Sequence, residues 1–173
     1  CDLYDTDFAA EVTRAWEKAS ADLHDAVRRV IFRIGLVLEA RSRLISLLWW
    51  PFLLGVGGPV GSGKQPFPYI HLHDLIRAMV WAMDHSKACG IYNLVAPERV
   101  SNRDLARRLG AILKRPAWLP VPPFMVKLVY GKASVMVLES PAVLPNRMLA
   151  EGFSFRYPTL QEALKEVVAS RKK

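Results

Sequence analysis

The chain has 173 residues and a mass of 19.5 kDa, with 51% hydrophobic and 23% charged residues. That size gives one domain, or one and a fraction, able to fold without disulfides or metal, and the composition excludes disordered, collagen-like and coiled-coil chains. Lys and Arg number 24 against 16 Asp and Glu, a net charge of +8 that suits nucleic acid, an anionic cofactor or an organellar setting without choosing among them. In chain order, Phe8, Val12, Ala15, Trp16 and Ala19 recur at helical spacing and predict a helix over 5–20, capped by Asp5, Thr6 or Asp7. The β-branched run 30–38 reads as a strand covered on both faces. A second helix over 41–50 should break before Pro51, and 55–68 is a Gly/Pro-rich loop. A short strand over 69–72 leads to a helix over 75–85, with Asp74 as its cap and Leu75, Met79, Ala82 and Met83 inside. A strand over 90–95 precedes a helix over 102–113, capped by Ser101, with Leu105, Leu109 and Ile112 inside. Beyond Lys114, prolines separate short helices at 123–130, 133–139 and 145–151. The last helix is capped by Thr159 and buries Leu160, Ala163, Leu164, Val167 and Val168, ahead of a frayed tail over 170–173. Alternating strands and helices define an α/β fold with parallel pairing.

Cys1 and Cys89 form no disulfide framework and fit a reducing, intracellular compartment. No export signal follows Cys1. The uncharged stretch 44–63 has the length of a membrane span, but Pro51, Gly55, Gly57, Gly58, Pro59 and Gly61 interrupt it. Its densely apolar part, 44–56, has the length of a buried or interfacial element. The mean hydropathy of +0.12 points to apolar surface that expects a partner.

Several constellations invite chemistry. Residues 58–65 (GPVGSGKQ) match a phosphate-binding loop except at Gln65, where a magnesium-binding hydroxyl is required, and Pro66 and Pro68 oppose the helix that must follow. His71 and His73 alternate on a strand and could share a metal, but His24 and His85 lie at no ligand spacing from them, so no metal site is assigned. Arg77, Arg99, Arg103, Arg107, Arg108, Lys114 and Arg115 are scattered over helices as a solvated face, with RNA or phospholipid contact left open. Trp49, Trp50, Trp118, Phe124 and Phe153 read as core or interface aromatics.

The stretch 61–75 (GSGKQPFPYIHLHDL) resembles a landmark of the extended short-chain dehydrogenase/reductases, the sugar-nucleotide epimerase group. With Trp16-Glu17, 33–38 (RIGLVL), 93–97 (NLVAP), 144–147 (LPNR) and 152–158 (GFSFRYP), the order is similar to that of the atypical, epimerase-like subgroup ending in a small helical domain of unknown function. The resemblance implies the C-terminal part of a Rossmann-like fold. Residues 1–115 would be the second half of a dinucleotide-binding domain, and 116–173 a small helical subdomain. The family's G-x-x-G-x-x-G turn belongs to the first half, so NAD(P) is implied only together with that half. Strands 30–38 and 90–95 would then have open edges, and a protein partner or larger complex would complete the sheet. The family's Tyr-x-x-x-Lys pair falls on Asp7 and Glu11, so no catalytic residue is assigned. Residues 39–43 (EARSR) replace the glycine-rich turn beside the nicotinamide. By the same resemblance, Gly61, Ser62, Gln65 and His71 line the substrate side of the cleft. The resulting expectation is a catalytically silent accessory subunit, in a mitochondrion or plastid. The alternatives are an NAD(P)-dependent epimerase or oxidoreductase acting on a nucleotide-sugar or other small substrate, and an RNA- or membrane-surface-binding protein.

Overall fold

The computed structural model describes residues 8–21, 27–131, 138 and 140–171. Cys1, Asp5, Thr6, Asp7, His24, residues 133–137 and 139 of one expected helix, and 172–173 of the expected frayed tail lie outside them. The first helix, α1, is Phe8–Ala19. The expected strand over 30–38 divides at Gly35 into β1 (Val30–Ile34) and β2 (Leu36–Leu38). The two parts have different partners. β1 runs parallel to β4 (Gly90–Leu94), and β2 runs parallel to β3 (Tyr69–His71). At the changeover the Gly35 N–H donates to Leu94 O (3.1 Å) and the Leu36 N–H to Pro68 O (2.8 Å). A Cβ on Gly35 would stand 2.8 Å from both Pro68 O and a Val95 methyl, so only glycine lets one extended run feed two partners.

Side-chain alternation sorts the sheet faces. Leu38 and Tyr69 point to a core shared with α2 (Arg43–Leu53), α4 (Asn102–Leu113) and the last helix, α7 (Leu160–Arg171). Ile70 and Val37 point the other way, to a core with α3 (Leu72–Asp84), Tyr92, Leu94, Met148 and Phe153. Two shorter helices, α5 (Pro123–Tyr130) and α6 (Asn146–Ala150), lie between α4 and α7 in the chain. The fold is therefore α/β, with parallel strands between helical layers and a helical C-terminal part. Among the described residues each strand pair has two strands only, and no strand lies along the outer edge of β1.

Three expectations about helices are corrected. Helix α2 does not stop before Pro51; it continues to Leu53. Pro51 deprives only the Leu47 carbonyl of its donor, Leu47 is exposed, and the extra turn buries Phe52. Helix α3 starts at Leu72, directly from β3, and its cap is His71, whose Nδ1 accepts the His73 N–H (3.1 Å). Asp74 stands inside the first turn and is fully buried. On the inner face of α3, Ala78 joins Leu75 and Ala82, while Met83 turns out to solvent. At the other end of α3, the Arg28 guanidinium donates to the carbonyls of Ala82 (2.7 Å) and Met83 (3.2 Å), among the helix's last acceptors, and to Ala88 O (2.8 Å) in the turn that follows.

The caps of α4 and α7 follow the sequence reading. Ser101 and Asp104 form a reciprocal capping box at α4. Thr159 and Glu162 do the same at α7, where Glu98 also accepts the Leu160 N–H (2.7 Å). The five residues expected inside α7 are all buried. Its packing on α4 and β2 locks the C-terminal part onto the sheet.

Candidate functional site

Parallel strands β2 and β3 end side by side, with Leu38 opposite His71. In open α/β sheets, ligands lie beyond such carboxyl ends. Here the ends open into a crevice of about 230 Å³ lined by Glu39, Ala40, His71, Leu72, His73 and Ile76, and by Glu166 and Ser170 from α7. His71 is its organising side chain. Its Nδ1 accepts from the His73 backbone, so a neutral ring carries its proton on Nε2 and donates it to Glu166 Oε2 at 2.6 Å. The other Glu166 oxygen accepts from Ser170 Oγ (2.5 Å). Burial raises the Glu166 pKa, but the hydrogen bonds from Ser170 and His71, with the electrostatic contributions of the two imidazoles added, outweigh it and hold the carboxyl below the usual range. Glu39 folds back, Oε2 accepting the Arg41 N–H (2.7 Å). Ser42 caps α2 by accepting the Ile45 N–H, so residues 39–43 form a turn into a helix.

The His71 ring is backed by a motif far along the chain. The Tyr157 ring packs on the His71 ring, with centroids 4.1 Å apart. Asp74 holds it there by accepting the backbone N–H groups of Arg156 and Tyr157, both at 2.8 Å, and the Arg77 guanidinium at 3.0 Å. Arg156 in turn reaches His73 Nε2 at 3.3 Å. The H-x-x-D and F-R-Y-P segments are therefore one unit, in which Asp74 is a structural clamp and the imidazole of His71 is the group presented to the crevice. Both nitrogens of His71 and the outer nitrogen of His73 have partners, and among the described residues no cluster of three His, Cys, Asp or Glu is placed to hold a metal.

Gly61, Ser62 and Gln65 lie elsewhere. Their loop wraps the start of α4: the Val60 N–H donates to Asn102 Oδ1 (2.7 Å), Arg103 Nη2 to Ser62 O (2.8 Å), and the Asn102 N–H to Gln65 O (3.0 Å). Gln65 Nε2 closes the loop on Val60 O (3.0 Å), and the Gly61 N–H donates to Val121 O (2.9 Å). No helix follows Lys64. Of the four residues assigned to the cleft, only His71 lines this crevice. Glu166 and Tyr157 were not singled out from the sequence. The signal for Glu166 is its i,i+4 spacing to Ser170 on the polar side of an amphipathic helix.

Comparison with known proteins decides the family. Residues 121–167 match a family model described as a domain of unknown function, DUF1731. The epimerase family protein SDR39U1 of Mus musculus is 42% identical over 164 residues, which are 94% of this chain and 56% of that protein. The crystal structure of human epimerase family protein SDR39U1 (isoform 2) with NADPH superposes with a TM-score of 0.91 at 38% identity, over 95% of this chain and 56% of that one. The chain belongs to the epimerase-like, extended short-chain dehydrogenases/reductases. Within that family, the chloroplastic SDR39U1 homologue of Arabidopsis thaliana is 36% identical over 94% of this chain and 47% of its own length. The chain spans about half the length of the curated relatives it matches, on their C-terminal part.

Proposed function

We propose that this chain is the substrate-side half of an epimerase-like fold and acts as a catalytically silent accessory module, whose open sheet is completed by a dinucleotide-binding half. The observation that carries the reading is Glu11. By resemblance it takes the place of the family's lysine, and it lies in the first turn of α1. There a carboxylate complements the helix dipole. It cannot lower the pKa of a phenol as an ammonium does, and general acid–base catalysis of this kind contributes roughly 10²–10⁴ in rate.

The cofactor in the human relative gives a direct test of fit. NADPH supplies hydride to a carbon beside its nicotinamide when bound. The described residues of this chain do not fit its pyrophosphate: the crevice at the strand ends is lined by Glu39 and Glu166, both acidic, and the 58–63 loop is packed against Leu119 and Arg103. A Cβ on Gly58 would stand 2.0 Å from Leu119 O, so that loop lies against another segment and holds no open cradle. Pyrophosphate binding therefore needs residues beyond these.

A second reading, an active NADPH-dependent enzyme whose cofactor-binding half lies outside this sequence, is favoured by the NADPH in the human structure. A nucleotide-sugar would then enter beside His71. The chloroplastic relative supports a plastid setting. Calorimetric titration of the full-length gene product with NADPH, together with assays on nucleotide-sugars, separates the readings. The accessory module gives no turnover above the uncatalysed rate, whether or not NADPH binds. Turnover that depends on NADPH would overturn it.

A further inference from the structure

Two segments poor in negative charge meet on one surface. No Asp or Glu occurs between Glu39 and Asp74, nor between Asp104 and Glu139. The fold brings these stretches side by side. A Cβ on Gly55 would lie 3.7 Å from the Pro116 ring, the Val121 N–H donates to Pro59 O (2.8 Å), and a Cβ on Gly61 would lie 3.6 Å from the Pro123 ring.

The surface they form is apolar. On α2 and its C-cap, Arg43, Leu47, Trp50 and Leu54 follow at i, i+4, i+7 and i+11 and are all exposed, Trp50 by 66% and Leu54 by 74%. The adjoining segment adds Trp118, 70% exposed, and Phe124 and Leu128 of α5, the latter 85% exposed. These are large side chains that a water-facing surface has no reason to cluster. Arg43, Lys64, Lys114 and Arg115 adjoin them in the chain, all exposed, and neither segment contributes a carboxylate to offset them.

We propose that this face docks onto the surface of an anionic phospholipid bilayer. The apolar side chains enter the headgroup–acyl boundary, the two indoles sit at the level where amphipathic rings prefer to lie, and the bordering cations meet lipid phosphates. Charge complementarity selects lipid over a second copy of the chain, whose own basic rim would repel this one. None of the described helices is long and apolar enough to cross a membrane, which fits a protein lying on a bilayer. The assignment is independent of whether the fold is catalytic, and it concerns a different face from the crevice.

Vesicle flotation of the full chain tests it. Binding is expected to vesicles of phosphatidylcholine with about 30% phosphatidylglycerol, to be weak with phosphatidylcholine alone, and to weaken in high salt. Trp50→Ser with Leu54→Ser, and separately Arg43→Glu with Arg115→Glu, should each lower partitioning about tenfold or more while the urea midpoint stays unchanged. All four side chains are exposed, and Leu128→Ser replaces any variant whose midpoint moves. Absence of vesicle binding, equal binding to neutral vesicles, or retention of binding by these variants overturns the proposal. So does a dimer in light scattering that Trp50→Ser with Leu54→Ser dissolves, which would give the face to a second copy. Loss of vesicle binding on adding the N-terminal half of a relative would give it to that half.

Discussion

Glu98 shows how a single side chain can set the chain's response to acid. It receives both guanidinium nitrogens of Arg108, at 2.9 and 2.7 Å, and the Leu160 N–H at the start of α7. The Arg108 hydrogen bonds hold its carboxyl below the usual range against the opposing effect of burial, with the Leu160 N–H adding to them. A folded-state pKa depressed in this way stabilises the native chain above the unfolded value of about 4.3, and the contribution fades as pH falls through the lower, folded value. Glu98→Gln should therefore cost about 1–2 kcal/mol at neutral pH, since it removes a charge-assisted pair that is partly solvent-screened. Urea midpoints measured downward from pH 7 should converge for the two proteins below the folded pKa. A constant gap across that range would mean that the charge of Glu98 is not what holds α7. Tyr69 lies on the same side of the core, its hydroxyl buried and its pKa pushed far up by burial and by Glu98. Neither role was legible in the sequence, because Glu98 and Arg108 are ten residues apart on different elements and meet only in the fold. Asp74 is the converse case. Its position before an apolar helix suggests a cap, but a carboxylate that can reach two backbone N–H groups of a distant loop is better satisfied there.

Among the elements, local chemistry was legible where it competes with nothing. Ser101 and Thr159 begin their helices because a hydroxyl followed three residues later by an acid satisfies two backbone donors wherever the helix packs. The apolar stripe of α7 was legible for the same reason. The division of 30–38 was not, since an unbroken β-branched run gives no sign that its partner changes at Gly35. The break at Pro51 was expected on the local cost of a proline, and burial of Phe52 one residue later overrides it. That account makes a prediction for α2. Pro51→Ala restores a donor for the Leu47 carbonyl, partly offset by the looser unfolded chain, and should stabilise the protein by about 1 kcal/mol. A rise in thermal midpoint with helix content maintained checks it. Destabilisation would mean that the proline ring contributes packing that the helix needs.

On the scale of the whole molecule, the chain has two well-formed cores and, among the described residues, a strand edge without a neighbour. Ile34 and Leu36, 46% and 40% exposed, lie along the run whose outer edge has no neighbouring strand among the described residues. On the outside of α3, Ile76, Val80 and Met83 form another exposed apolar row. Water-facing strand edges of this kind are usually blunted by charge or proline, and here only Arg33 supplies any, through its pair with Glu17 of α1 at 2.8 Å. Pairing on one side has a dynamic consequence. Backbone amides in 30–38 rest on one strand each, whereas those of α4 and α7 are bonded within helices whose inner faces share one core. Hydrogen exchange of the isolated chain should show the strand opening at about 2–3 kcal/mol below the helices, an exchange rate about 100-fold faster. Adding the N-terminal half of a relative should slow exchange at 30–38 and leave α7 unchanged, because pairing along an edge protects that edge and not the far core. If the amides of β1 are already as protected as those of α7 without any companion, the sheet is complete as it stands, and there is no open edge for a second half to fill.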